Sequence, residues 1–113
     1  MALAAIPPIG PPQSITQVTK QLTDDTLATV ITAVAGKSIN IFGVIMSSDT
    51  TCTLTLRAGG ELLFPFNVSA SGGVAMQWDS RPIFRGDAGE SITIEARESS
   101  LNAAIYVQYT QEA

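Results

Sequence analysis

Residues 38–57 read SINIFGVIMSSDTTCTLTLR, and this stretch decides the fold. Its second half alternates strictly: Cys52, Leu54 and Leu56 point one way, and Thr53, Thr55 and Arg57 the other. That is the period of a strand with one face buried. The first half is apolar on both sides. Ile39, Ile41, Gly43 and Ile45 fall on one face of an extended chain, and Phe42, Val44 and Met46 on the other. A strand apolar on both faces is central in a sandwich, or has its second face covered by another chain. Ser48-Asp49-Thr50 supplies the turn between the two.

The same grammar extends outward. On the N-terminal side, Gly36-Lys37 is a turn, residues 26–34 (TLATVITAV) are a Thr/Val/Ile-rich strand, Asp24-Asp25 is a turn, and residues 15–22 are a strand carrying a bulge. On the C-terminal side, Ala58-Gly59-Gly60 marks a hairpin into residues 61–68 (ELLFPFNV), where Pro65 demands an edge or bulged strand. Residues 74–78 form a short strand ending at Trp78, Ile83-Phe84 is a brief apolar stop, residues 91–97 (SITIEAR) alternate, and residues 103–110 (AAIYVQYT) close the body. About eight short strands with turn signals between them and no convincing helix describe an all-β antiparallel sandwich, and eight suit a jelly roll.

Residues 1–14 (MALAAIPPIGPPQS) differ in kind. Pro7, Pro8, Pro11 and Pro12 fix φ and remove backbone donors, so this segment is extended. Disordered tails are usually polar, whereas this one carries Leu3, Ile6 and Ile9 and no charge. It is expected to be an arm docked on a neighbouring subunit or on its own body, with Leu3, Ile6, Pro7, Pro8, Ile9, Pro11 and Pro12 as contact residues. The chain thus divides into an arm, 1–14, and a sandwich domain, 15–113.

Composition narrows the function. The 113 residues suffice for one domain with a real core. The single cysteine, Cys52, rules out an internal disulfide. The absence of histidine removes Ser–His and Cys–His pairs and the commonest metal ligand. Six basic residues, dispersed in a chain of net charge −4, give no footprint for nucleic acid. No apolar run reaches the roughly 18 residues of a membrane helix, and the apolar start lacks a basic region and is cut at Pro7, so a cleaved leader is not expected. Charged residues are 14% of the chain, against about 25% in ordinary domains. Sparse charge on a small body points to surfaces covered by other subunits.

The candidate chemical motifs are outweighed by plainer readings. Ala35-Gly36-Lys37-Ser38 resembles the end of a phosphate loop, but position 31 is isoleucine where the motif needs glycine, and a strand follows. Arg85-Gly86-Asp87 matches a receptor-binding tripeptide within a turn, and Asn67-Val68-Ser69 is a glycosylation sequon. Asp24-Asp25, and Asp87 with Glu90, could hold a hard cation but lack calcium-loop spacing. Glu95 and Glu98 are weak candidates for paired catalytic carboxylates. No catalytic, cofactor-binding or metal-binding residue is assigned, and the chain is not expected to be an enzyme or to take a small-molecule substrate.

Residues 28–46 (ATVITAVAGKSINIFGVIM), 53–59 (TLTLRAG), 84–94 (FRGDAGESITI) and 104–111 (AIYVQYTQ) together resemble the small β-sandwich virion proteins of tailed bacteriophages. The resemblance covers about residues 26–111 and leaves out the arm. It implies a capsid decoration, or cement, protein on the virion surface, made in the host cytoplasm. It also implies that the partners are the major capsid protein and, in a homotrimer, copies of the chain itself. Phe42, Val44, Met46 and Tyr106 are the expected subunit interface. The alternative is a lectin-like appendage stacking glycans on Trp78, Tyr106 and Tyr109.

Overall fold

A computed structural model describes residues 15–77 and 81–112. Nine strands follow one another: β1 (Thr16–Leu22), β2 (Ala28–Ile31), β3 (Ser38–Ser48), β4 (Cys52–Ala58), β5 (Glu61–Val68), β6 (Gly72–Gln77), β7 (Phe84–Arg85), β8 (Ile92–Ala96) and β9 (Ala103–Glu112). No helix occurs among the described residues. One sheet runs β1-β9-β3-β6, with the short β7 also on β3; the other runs β2-β8-β4-β5.

The topology follows from one hairpin. Gly59, at φ 60°, turns the chain between β4 and β5, a conformation that favours glycine. From that tip the pairs nest outward: β4 with β5, β3 with β6, β2 with β8, and β1 with β9, all antiparallel. A long ribbon of nested pairs, folded so that they alternate between two sheets, is a jelly roll. The all-β sandwich expected from the sequence is therefore the observed fold.

The core lies between the sheets. Leu54 and Leu56 of β4, Ile92 and Ile94 of β8, Ile39, Ile41, Val44 and Met46 of β3, and Ile105 and Val107 of β9 are all at most 1% exposed. Phe64 and Phe66 of β5 meet Phe84 of β7, with centroids 4.9 Å apart within β5 and 6.2 Å from Phe66 to Phe84. This tilted and edge-on trio joins one sheet to the other along their shared margin. At the opposite end of β3, Asp49 accepts hydrogen bonds from Asn102 N (2.8 Å) and Nδ2 (3.3 Å), while Asp49 N donates to Asn102 O (3.0 Å). That reciprocal clamp ties the β3–β4 turn to the start of β9.

Several local expectations are corrected. β1 pairs with β9 without a bulge: Val18 and Leu22 share a face in unbroken register. The bulges are instead in β2 between Thr29 and Ile31, in β5 opposite Leu56/Arg57, and in β3 between Ile41 and Gly43. β5 is both bulged and at a sheet edge, as Pro65 requires. Ile83-Phe84 is no mere stop, since Phe84–Arg85 adds a strand opposite Asn40 and Ile41. Trp78 lies outside the described residues.

The β3 bulge matters most. Ile41 pairs with Tyr109 and Gly43 with Gln108, so Phe42 is the extra residue. An extra residue exchanges the faces of everything after it. Ile39 and Ile41 face the core before the bulge, and Val44 and Met46 face it afterwards. Ile45 is turned outward and 52% exposed. The two faces expected from strict alternation are thus spliced together at Phe42, which is buried yet stands apart from the core cluster.

Candidate functional site

The outward face of the five-stranded sheet carries the most distinctive surface among the described residues. Two cross-strand rows build it. In the first, Gly43 of β3 lies between Gln77 of β6 and Gln108 of β9; in the second, Ile45 lies between Ala75 and Tyr106. Gly43 has no side chain, and Gln77 Nε2 donates across it to Gln108 Oε1 at 3.3 Å. A Cβ at position 43 would stand 2.6 Å from that same oxygen, so the bridge uses the space glycine leaves. Ala75 keeps the floor low in the second row, while Ile45 and Tyr106 rise beside it.

The result is a hollow of about 170 Å³. Pockets for drug-sized ligands span roughly 300–1,000 Å³, so this one suits an aliphatic side chain or two. None of its lining residues is charged. It offers apolar surface from Ile45 and Tyr106, and hydrogen-bonding capacity from the Gln77 and Gln108 amides and the Tyr106 hydroxyl. Chemically it can bind an uncharged, extended segment.

Of the residues expected at a subunit interface, only Tyr106 is on this face. Val44 and Met46 are 1% and 0% exposed and belong to the intramolecular core, so neither is available to a partner surface. Phe42 is buried at 3%. The physical reason is the bulge, which replaced Val44 and Met46 by Ile45 on the outer face. Sequence reasoning missed Ile45, Gly43, Ala75, Gln77 and Gln108. The available signal was Gly43 itself, because a glycine inside an apolar strand marks a bulge or a close approach. The arm residues Leu3, Ile6, Pro7, Pro8, Ile9, Pro11 and Pro12 lie outside the described residues.

The remaining motifs resolve into structure. Lys37 N donates to Val34 O at 3.0 Å, with Gly36 at φ 77°; Ala35-Gly36-Lys37-Ser38 is a tight turn entering β3, and no helix follows it. In the Arg85-Gly86-Asp87 tripeptide, Arg85 belongs to β7 and Gly86 is buried, donating to Ile39 O at 3.0 Å. It is no protruding loop. Asn67 lies in β5, its Oδ1 accepting from the Thr53 hydroxyl at 2.9 Å. Asp24 Oδ1 accepts from Thr26 N at 2.9 Å, closing its own turn. Carboxylate oxygens of Glu61, Asp87 and Glu90 come within 4.8 Å of one another, and Glu90 Oε1 accepts from Asp87 N. Tyr109, opposite Ile41, packs against the core, while Tyr106 faces outward. The two tyrosines therefore cannot form one stacking platform for a sugar.

One row from the hollow, Asn40 is buried and donates to Thr110 Oγ1 at 3.4 Å and to Glu112 Oε2 at 3.0 Å. Its Oδ1 has no hydrogen-bond partner among the described residues. No protein-family model matches this chain, and no curated protein matches it.

Proposed function

We propose that this protein is a structural virion component, a decoration protein that bridges subunits of a phage capsid, assembling with the major capsid protein and with further copies of itself. The observation that supports this reading best is the uncharged hollow around Gly43, Ile45 and Tyr106. An exposed Ile45 beside the bridged Gln77 and Gln108 amides, in a hollow whose lining carries no charge, is a surface suited to being covered. The resemblance carried by residues 28–46, 53–59, 84–94 and 104–111 supplies the identity of the assembly. The proline-rich arm supplies a tether, since a segment already restricted when free loses less entropy on docking.

The test is attachment. Purified protein is mixed with undecorated particles of the source phage and sedimented. The full chain is expected to co-sediment, and a variant lacking residues 2–13 is expected to stay in the supernatant while keeping its β-sheet circular dichroism. Absence of the full chain from the pellet, at saturating concentration, sinks the virion reading.

A further inference from the structure

We propose that the hollow on the five-stranded sheet receives the proline-rich arm of a second copy of this chain. The inference rests on residues 1–14 being an arm, as in the reading above, and not on the identity of the particle.

The arm has a face that only its own helix type reveals. A polyproline II segment has three residues per turn and rises about 3.1 Å per residue. Leu3, Ile6, Ile9 and Pro12 are spaced by three, so in such a segment they would share one ridge at intervals of about 9 Å. Neither a helix nor a strand would align them. A ridge of single aliphatic side chains matches a hollow of about 170 Å³ with Ile45 and Tyr106 as its apolar wall. Extended proline-rich segments dock in grooves that present an aromatic ring.

The polar chemistry also complements. Prolines have no N–H, so such a segment offers its partner mainly carbonyl acceptors. The hollow answers with donor groups: Gln108, whose Oε1 accepts from Gln77, still carries its NH₂ group, and Tyr106 brings a hydroxyl. Neither surface carries charge, so docking desolvates none.

Reach decides between the arm's own body and a second copy. β1 starts at Thr16, and the two rows of the hollow align with Gln17 and Thr19 through β9. β3 is two strands away from β1, on the order of 10 Å at the usual strand spacing. Ile9 precedes Ile15 by six residues, roughly 19 Å of polyproline II, and Leu3 precedes it by roughly 37 Å. An arm that stays extended would carry Ile9, Ile6 and Leu3 beyond that distance, which favours the hollow of a neighbour over its own.

The test is disulfide trapping in the full chain. One preparation carries Ile6→Cys and a size tag; the other carries Ile45→Cys. Cys52 is buried and stays out of the exchange. Mixed and oxidised, the two are expected to give a reducible heterodimer at least about tenfold above the level with Thr53→Cys, on the outer face of the other sheet. Adding Gly43→Leu to the Ile45→Cys chain fills the hollow and is expected to abolish the product. A chain carrying both cysteines that closes only on itself would place the arm on its own body and overturn the proposal. Cross-linking no higher than the Thr53→Cys control would overturn it too. Exchange without particle binding removes the virion reading and keeps this one; particle binding without exchange does the reverse.

Discussion

The two outward faces of the sandwich differ in chemistry. On the four-stranded sheet, β4 and β8 present Thr53, Thr55, Arg57, Thr93 and Glu95, with Asn67 of β5 hydrogen-bonded to Thr53. That face carries hydroxyls and charges beside one exposed apolar residue, Leu62 opposite Arg57, while Thr55 is buried between its neighbours. The middle of the five-stranded sheet presents Gly43, Ile45, Ala75, Tyr106 and the paired glutamines, all uncharged. β4 alternates without interruption between Cys52 and Leu56, whereas β3 is spliced by a bulge at Phe42. A regular strand produces an ordinary soluble surface. The bulged one turns an isoleucine outward and puts a glycine beneath two amides, which is how the uncharged hollow arises here.

The sharpest way to break this contrast is to exchange neighbours across the bulge. Met46 and Ile45 are adjacent in sequence, yet one is wholly buried and the other 52% exposed. Met46→Ala is expected to destabilise the fold by about 2–5 kcal/mol, the usual range for truncating a buried side chain. Ile45→Ala is expected to stay within about 0.5 kcal/mol, as exposed substitutions do. Urea unfolding of both variants measures the difference. Equal losses would mean that the faces after Phe42 are not exchanged.

A second comparison sets one face against the other. Ile45→Lys puts a charge into the hollow, and Thr53→Lys puts one on the opposite sheet. Light scattering over a concentration series is expected to show self-association weakened by about tenfold or more in the first, roughly 1.4 kcal/mol, and unchanged mass in the second. Equivalent behaviour of the two variants would remove the distinction between docking face and solvated face.

Gly43 gives a smaller and more specific effect. Its φ is not positive, unlike that of Gly36, Gly59 and Gly89, so alanine is compatible with its backbone. The three atoms nearest to an added Cβ all belong to the Gln108 side chain, whose amide end can swing aside. Gly43→Ala is expected to leave stability unchanged or raise it by up to about 1 kcal/mol through the unfolded chain. It should nonetheless reduce self-association, because it breaks the Gln77–Gln108 bridge and raises the floor. Loss of stability instead would assign Gly43 to packing of the bulge.

The sequence revealed the sandwich because its signals are local. The Thr/Leu alternation of β4, the Gly59-Gly60 tip and Pro65 each act over a few residues, and each landed where expected. The strand order was not legible: nested pairing is a property of the whole ribbon, and β7 is too short for any periodicity to mark it. The docking face was misassigned for a definite reason. Strict period-two counting placed Val44 and Met46 opposite Ile39 and Ile41, while the single extra residue at Phe42 puts all four into one core. The hollow also depends on Gln77 and Gln108 meeting across Gly43, a juxtaposition of three strands remote in sequence. The three-residue spacing of Leu3, Ile6, Ile9 and Pro12 was present in the sequence throughout, but it becomes meaningful only beside a hollow of matching size.

The smallest expected effect lies away from both faces, at the clamp between Asp49 and Asn102. The backbone N–H of Asn102, then the Thr50 hydroxyl, hold the Asp49 carboxyl below its ordinary value of 3.8. A carboxylate whose pKa is depressed by folding stabilises the native state fully above its unfolded value. That contribution fades as pH falls through the lower, folded value. Asp49→Asn removes the charge and with it this dependence. The melting temperatures of the parent chain and the variant are therefore expected to differ most near neutral pH, and the gap is expected to narrow as pH drops below about 4. Asp49 is open to water, so the gap is modest at every pH and should shrink further in high salt. A gap that widens with acid would mean that the protonated carboxyl, not the carboxylate, holds the β3–β4 turn to β9.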